Sequence, residues 1–268
     1  MKNLKKIFLN SITVLKYILN KRGTKVILID KNRRFESNKK IGKYTLIIPS
    51  SGKEVSYRPF LVKEEKILLT ALEGGEEKDM AKAIKQIITQ CVATENFNVN
   101  NLAMVDLEYL FLNIRGKAVG DISTISFEHE CGEIIKLDID LSKVEVVQNK
   151  NSSDLVKITD DIMVRLSPPG IDDVIGTENK NQIDLVMEII RNSLVEIIQG
   201  EEIFSAQDHS KAELDEFVNS LNSGQFKKLQ DYYESLPKLK QDIEYTCEKC
   251  GKTETETLEG LASFFASA

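Results

Sequence analysis

Tryptophan is absent from these 268 residues, proline occurs five times, cysteine four times and histidine twice. Each shortage excludes something. The two histidines, His129 and His209, lie outside any recognisable nucleophile motif, which removes the familiar triad hydrolases. His209 sits in a polar stretch just before a helical pattern and reads as an exposed or capping residue. Acids are plentiful, but Asp160-Asp161 and Asp172-Asp173 are adjacent pairs in turn-like settings. Neighbouring side chains in extended chain point apart, so neither pair makes a two-carboxylate site. Gly74-Gly75 lacks the Lys-Ser/Thr of a phosphate loop and follows a helix rather than a strand. No catalytic residue emerges, and the chain reads as non-enzymatic. Four cysteines over this length are too sparse for an extracellular disulfide scaffold and fit a reducing cytosol.

Long apolar runs are also missing. The stretch Ile7 to Leu19 is interrupted by Asn10, Ser11, Thr13 and Lys16, and no small-residue cleavage site follows. It predicts an amphipathic helix packed on a core or a partner, rather than a signal peptide or a membrane span. Ile7, Leu9, Val14, Leu15, Ile18 and Leu19 form its apolar face.

Charge is what the chain has in excess, unevenly placed. Residues 1–43 carry 13 Lys/Arg and two acids, a local +11 that leaves −17 for residues 44–268 of a chain with net charge −6. The expected organisation is a basic N-terminal arm at 1–43 on an acidic body at 44–268. Lys21-Arg22, Arg33-Arg34 and Lys39-Lys40 have only Tyr17 and Phe35 nearby for base stacking. A solvated face or an acidic neighbouring subunit therefore accounts for the arm better than nucleic acid or a membrane does.

Along the body, strand-like runs at Tyr44 to Pro49 and Glu54–Tyr57 flank a turn at Ser50-Ser51-Gly52-Lys53. Three helices follow. The first carries Leu61, Lys66, Leu68, Leu69 and Leu72 and ends at Gly74-Gly75. The second follows Asp79 with Ile84, Ile87, Ile88 and Cys91 on one face. The third runs from Met104 to Val119 and closes at Gly120. Cys91 reads as a small buried hydrophobe. From Asp121 to Leu166 the period becomes two, and three stretches (Ile122 to Phe127, Ile134 to Leu141, Lys157 to Leu166) predict one small antiparallel sheet. Pro168-Pro169-Gly170 breaks the chain, giving a possible internal boundary near 167–171. A second helical block spans Asp172 to Leu236: one helix through Ile183, Val186, Met187, Ile190, Leu194 and Ile197, then Lys211 to Leu221 opened by a Ser210/Glu213 capping box, then Gln225 to Ser235. Strands Asp242 to Thr246 and Thr253 to Leu258 close the chain. The fold class expected is α+β, helical blocks alternating with small antiparallel hairpins.

One pattern carries specific chemistry. Cys247-x-x-Cys250-Gly lies in a strand–turn–strand setting, where two thiolates can grip one tetrahedral metal from a knuckle. A structural zinc needs four ligands. Cys131-Gly132 occupies a similar turn preceded by His129, so facing hairpins would assemble His129, Cys131, Cys247 and Cys250 into a Cys3His shell. Glu128 stands where a paired CxxC would have a cysteine, which leaves two readings: a shifted ligand set around zinc, or reduced thiols in a turn. A thioredoxin-type redox pair belongs at a helix start, and this one lies between strands.

The segments Tyr57-Arg-Pro-Phe-Leu-Val-Lys-Glu-Glu-Lys66 and Asp106-Leu-Glu-Tyr-Leu-Phe111, the latter running on to Lys117-Ala-Val-Gly120, resemble in sequence and order the baseplate hub family of T4-like tailed phages. The late Cys131-Gly132 and Cys247-x-x-Cys250-Gly fit the same order. The resemblance covers roughly residues 44–268. It implies a structural or assembly component of a contractile tail, working through contacts with other baseplate proteins. Such a protein would act in the host cytoplasm during assembly, either staying in the tail baseplate of the virion or serving as an assembly factor alone. On this reading Glu64, Glu65 and Lys66 lie on the outer face of their helix, available to a partner. Glu108, Arg115 and Lys117 serve partner contact or intrahelical pairing. The competing reading is a zinc-knuckle nucleic-acid-binding protein that uses the basic arm as a phosphate clamp.

Overall fold

A computed structural model describes residues 42–74, 77–148, 153–175 and 182–265. The basic arm expected at 1–43, with its helix at Ile7 to Leu19, lies outside the described residues except for its last two positions. Strands β1 (Tyr44–Ile47) and β2 (Glu54–Tyr57) pair antiparallel about the expected turn. They are followed by α1 (Val62–Gly74), α2 (Glu77–Cys91) and α3 (Met104–Val119). Helix α2 buries Met80, Ala81, Ile84, Ile87, Ile88 and Cys91, a stripe at spacings of three and four that seats it on the core.

Helix α3 is buried on almost every side, taking Asp106, Glu108 and Arg115 inside with Leu107, Leu110, Phe111 and Ile114. Polar groups can sit there only if bonded. Asp106 accepts from the Ser50 N–H at 3.0 Å and from the Ser50 hydroxyl, tying the first hairpin's turn to the N-terminal end of α3. A carboxylate at that position also complements the helix dipole.

The hairpin of β3 (Ile122–Glu128) and β4 (Ile134–Asp140) comes next. Strand β5 (Glu145–Val147) pairs with β10 (Lys238–Thr246), which pairs in turn with β11 (Thr253–Glu259). Leu239, Leu258, Leu261 and Phe264 thereby join the core built by residues 46–144. Between β5 and β10 the chain builds a second core. Strands β6 (Leu155–Lys157), β7 (Ile162–Leu166), β8 (Leu194–Gln199) and β9 (Glu202–Ser205) form one sheet in that order. After the short α4 (Ile171–Ile175), helices α5 (Gln182–Ser193), α6 (Lys211–Ser220) and α7 (Ser223–Ser235) accompany it. Val164, Ile190, Leu229 and Tyr233 lie at its centre. The architecture is α+β.

Two expectations need correction. The stretches between Asp121 and Leu166 do not form one sheet: β3 and β4 pair alone, while β7 joins the second core. The helix expected through Ile197 stops at Ser193, so Leu194 and Ile197 belong to β8, and the supposed helical block contains two strands. The spacing of Ile190, Leu194 and Ile197 fits a helix, but Ile197 and Ile198 are β-branched and each pairs with both β7 and β9. The Pro168-Pro169-Gly170 break is where the chain crosses between cores. Leu166 belongs to the second and Ile171 to the first, and the Pro169 carbonyl accepts the Met104 N–H at the start of α3.

Candidate metal centre

The tips of two hairpins meet. In the β3–β4 turn the His129 carbonyl accepts the Gly132 N–H at 2.8 Å, and the His129 N–H donates to the Glu133 carbonyl at 2.8 Å. In the β10–β11 turn the Cys247 carbonyl accepts the Gly251 N–H at 2.8 Å, and the Cys247 N–H donates to the Lys252 carbonyl at 2.9 Å. Both glycines have positive φ, +76° at Gly132 and +72° at Gly251, a conformation that side chains with a Cβ resist. The two turns are thus the same device, with a cysteine just before each glycine. The first is one residue shorter. The position equivalent to Cys247 is therefore His129, which explains why Glu128, on the exposed side of β3, is no ligand candidate.

His129, Cys131, Cys247 and Cys250 bring one ligand atom each to within 4.8 Å of one another, a group that could hold a metal ion. His129 Nδ1 lies 3.1 Å from Cys131 Sγ and 3.9 Å from Cys250 Sγ, and the Cys131 and Cys247 sulfurs are 3.6 Å apart. Metal bonds of about 2.3 Å to sulfur and 2.0–2.1 Å to nitrogen put tetrahedral ligand edges at about 3.5–3.8 Å. The three closest separations straddle that range, and the outer limit of 4.8 Å means that closing all four donors on one zinc takes a shift of up to about 1 Å.

The imidazole is also oriented for the task. Nδ1 accepts the Cys131 N–H at 3.3 Å, while Nε2 lies 3.2 Å from Glu254 Oε2. This pattern puts the ring proton on Nε2 and the Nδ1 lone pair toward the thiols. Glu254 is held by the Tyr245 hydroxyl, which donates at 3.2 Å, and these two residues are cross-strand partners in the β10–β11 hairpin. A carboxylate behind a ligating histidine is the usual second layer of a zinc site, raising ligand basicity. Neither Tyr245 nor Glu254 was singled out from the sequence. The hairpin register places the pair next to Thr246 and Thr253, two steps below the turn that Gly251 closes, but the bond of Glu254 to His129 crosses between hairpins and leaves no local signal.

The thiols differ electrostatically. Burial pushes the Cys131 thiol up, reinforced by the neighbouring sulfurs. Cys247 goes the other way: the Cys250 backbone N–H, helped by that of Lys249, holds it below the usual thiol range despite burial. Around the site, Ile135, Tyr245, Phe127 and Leu137 supply an apolar floor, with Phe127 edge-on to Tyr245 at 5.3 Å. Cys250 faces solvent. The rim is mixed in charge: Lys249 pairs with Glu133, and Lys252 with Glu130.

A family model described as T4 bacteriophage base plate protein matches residues 41–266. The chain belongs to that family. No curated protein and no solved structure matches it.

The other residues singled out in this base plate protein are placed differently from one another. Glu64 is not on the outer face of α1. Its side chain is fully buried, accepting from Arg58 at 2.9 Å and from the Leu61 N–H at 2.8 Å. The helix pattern could not reveal this, because Arg58 reaches it from the segment before the helix. Glu65 is half-buried and Lys66 exposed. Glu108 and Arg115 are buried in α3, where Arg115 donates to the Gly120 carbonyl at 3.1 Å. Lys117 is at the surface, 3.0 Å from Asp121 and over the Tyr44 ring. Cys91 is fully buried, with its pKa pushed up to about 11 mainly by burial. Among the described residues, no helix is long and apolar enough to cross a membrane.

Proposed function

We propose that this chain is a structural or assembly component of the baseplate hub of a contractile phage tail, acting through contacts with other tail proteins and without catalysis. The observation that carries the reading is the family match across residues 41–266. One structural zinc, held by His129, Cys131, Cys247 and Cys250, would pin the two hairpin tips together. Bound there, the cation supplies cross-linking free energy rather than reactivity, because the four protein ligands complete its shell. For partner contact we favour α1, where Lys66 stands between exposed Val62 and Leu69 on one stripe, with Glu65 beside it. Exposed apolar residues rimmed by charge are the composition of a docking surface. Lys117 offers a second contact point. Glu64, Glu108 and Arg115, being buried, would act by holding these helices in place.

The test is a deletion of the gene in its phage, scored by electron microscopy of lysates and by infectivity. Absent or incomplete baseplates, restored by the gene supplied in trans, are expected. Normal tails at normal yield would overturn the reading. Metal content of protein purified without chelator tests the zinc separately: about one zinc per chain is expected for a single closed site, and protein free of metal sinks it.

A further inference from the structure

Three thiols lie together at this centre, and they are not equivalent. Cys131 and Cys247 approach to 3.6 Å and sit in the apolar cluster of Ile135 and Tyr245, whereas Cys250 is exposed. We infer that Cys131 and Cys247 are a latent disulfide site, which closes on exposure to a peroxide once the metal is gone and keeps the two hairpins joined. The inference takes the metal reading as its starting state, but the bond itself needs only the geometry of the thiols.

The chemistry starts where the oxidant can reach. The Cys250 thiolate attacks hydrogen peroxide; its sulfur gains an S–O bond, the O–O bond breaks, and the departing hydroxide is protonated to water. The Cys247 thiolate then attacks the Cys250 sulfenic sulfur and displaces the hydroxyl as a second water, forming a Cys247–Cys250 bond. The Cys131 thiolate, beside Cys247, attacks the Cys247 sulfur and expels the Cys250 thiolate to solvent. Overall two thiols lose two electrons and two protons, the peroxide becomes two waters, and Cys250 is regenerated.

The final exchange runs toward Cys131 because of native geometry: a sulfur separation of 3.6 Å closes to a bond of about 2.05 Å with a movement of the two hairpin tips. Once formed, a bond between positions 131 and 247 closes a far longer loop in the unfolded chain than one between 247 and 250, so it adds more to folding stability. Zinc and disulfide would serve the same joint under opposite redox conditions. The metal suits the reducing cytoplasm in which tails are built, the disulfide an oxidising exterior.

The full chain is stripped of metal with chelator and reductant, freed of both, and treated with hydrogen peroxide. Remaining thiols are then capped with N-ethylmaleimide in denaturant, so that buried Cys91 is reached, and the unreduced digest is mapped by mass spectrometry. Titratable thiols fall from four to two, and the linked peptides join Cys131 to Cys247 while Cys91 and Cys250 carry the cap. In Cys250→Ala the same link forms more slowly, and in Cys131→Ala the bond between Cys247 and Cys250 accumulates. A wild-type end product joining Cys247 to Cys250, or links between chains, overturns the inference. Metal-free native protein that still forms the expected link would sink the zinc reading alone; zinc-loaded protein that fails to form it after stripping sinks only the disulfide.

Discussion

Taken out of water, a carboxylate normally drifts toward its neutral form, and Glu64 has no side-chain exposure at all. Burial pushes its pKa up, yet bonds from Arg58, the Leu61 N–H and Lys63 together hold it below the usual carboxylate range. Its contribution to stability is therefore complete above the unfolded value of about 4.3 and is lost as pH falls through the lower folded value. Glu64→Gln, which keeps the shape and removes the charge, should cost about 2 kcal/mol at neutral pH. Urea titrations at pH 7 and pH 3 should show the gap to wild type closing in acid. The other residue to test is Glu254. Glu254→Ala should weaken zinc binding by roughly 10–100-fold in competition with a chromophoric chelator, as removal of such outer partners does. Unchanged affinity would show that His129 needs no orienting partner. Glu254 and Glu64 were opaque for the same reason: their roles are set by His129 and Arg58, partners that no local period reveals.

At the scale of elements, what could be read was what short-range rules determine. The helices α1 to α3 follow from apolar spacing, and α6 from its capping box. Ser210 and Glu213 form that box as expected, and Asn222 with Gln225 forms a second at α7. Ser210→Ala should lower stability by about 1 kcal/mol in thermal or urea unfolding, with zinc content unchanged. The failures came where pairing across the chain decides. Residues 194–199 satisfy a helical and a strand pattern alike, and only neighbours on both sides make them β8. Strands β5 and β6 are three residues each, too short to announce themselves. The hairpin tips were legible because metal chemistry demands a specific residue set, and the His129 shift became intelligible once the turns could be superposed residue by residue.

Among the described residues, apolar packing is divided into two large clusters, with the candidate metal centre above a small third one. The third, formed by Ile135, Tyr245 and Cys247, is too small to hold two hairpin tips by itself. Stripping zinc should therefore lower the melting temperature and raise amide hydrogen exchange around residues 128–135 and 245–254. Amides of α5, α6 and α7, in the second core, should keep their protection. Uniform loss of protection would mean that the two cores unfold as one unit.

The pairing of β5 with β10 has a kinetic consequence. Leu239 lies opposite Val146, although the whole second core lies between them in the chain. If those residues were unstructured, closing the pair would carry the full entropy of a long loop. Because they possess a core of their own, they can collapse first and bring the ends of β5 and β10 near each other. Local collapse of the intervening residues thus lowers the entropy cost of closing the β5–β10 pair, and a stopped-flow experiment should show protection of β7 and β8 amides appearing before that of β5.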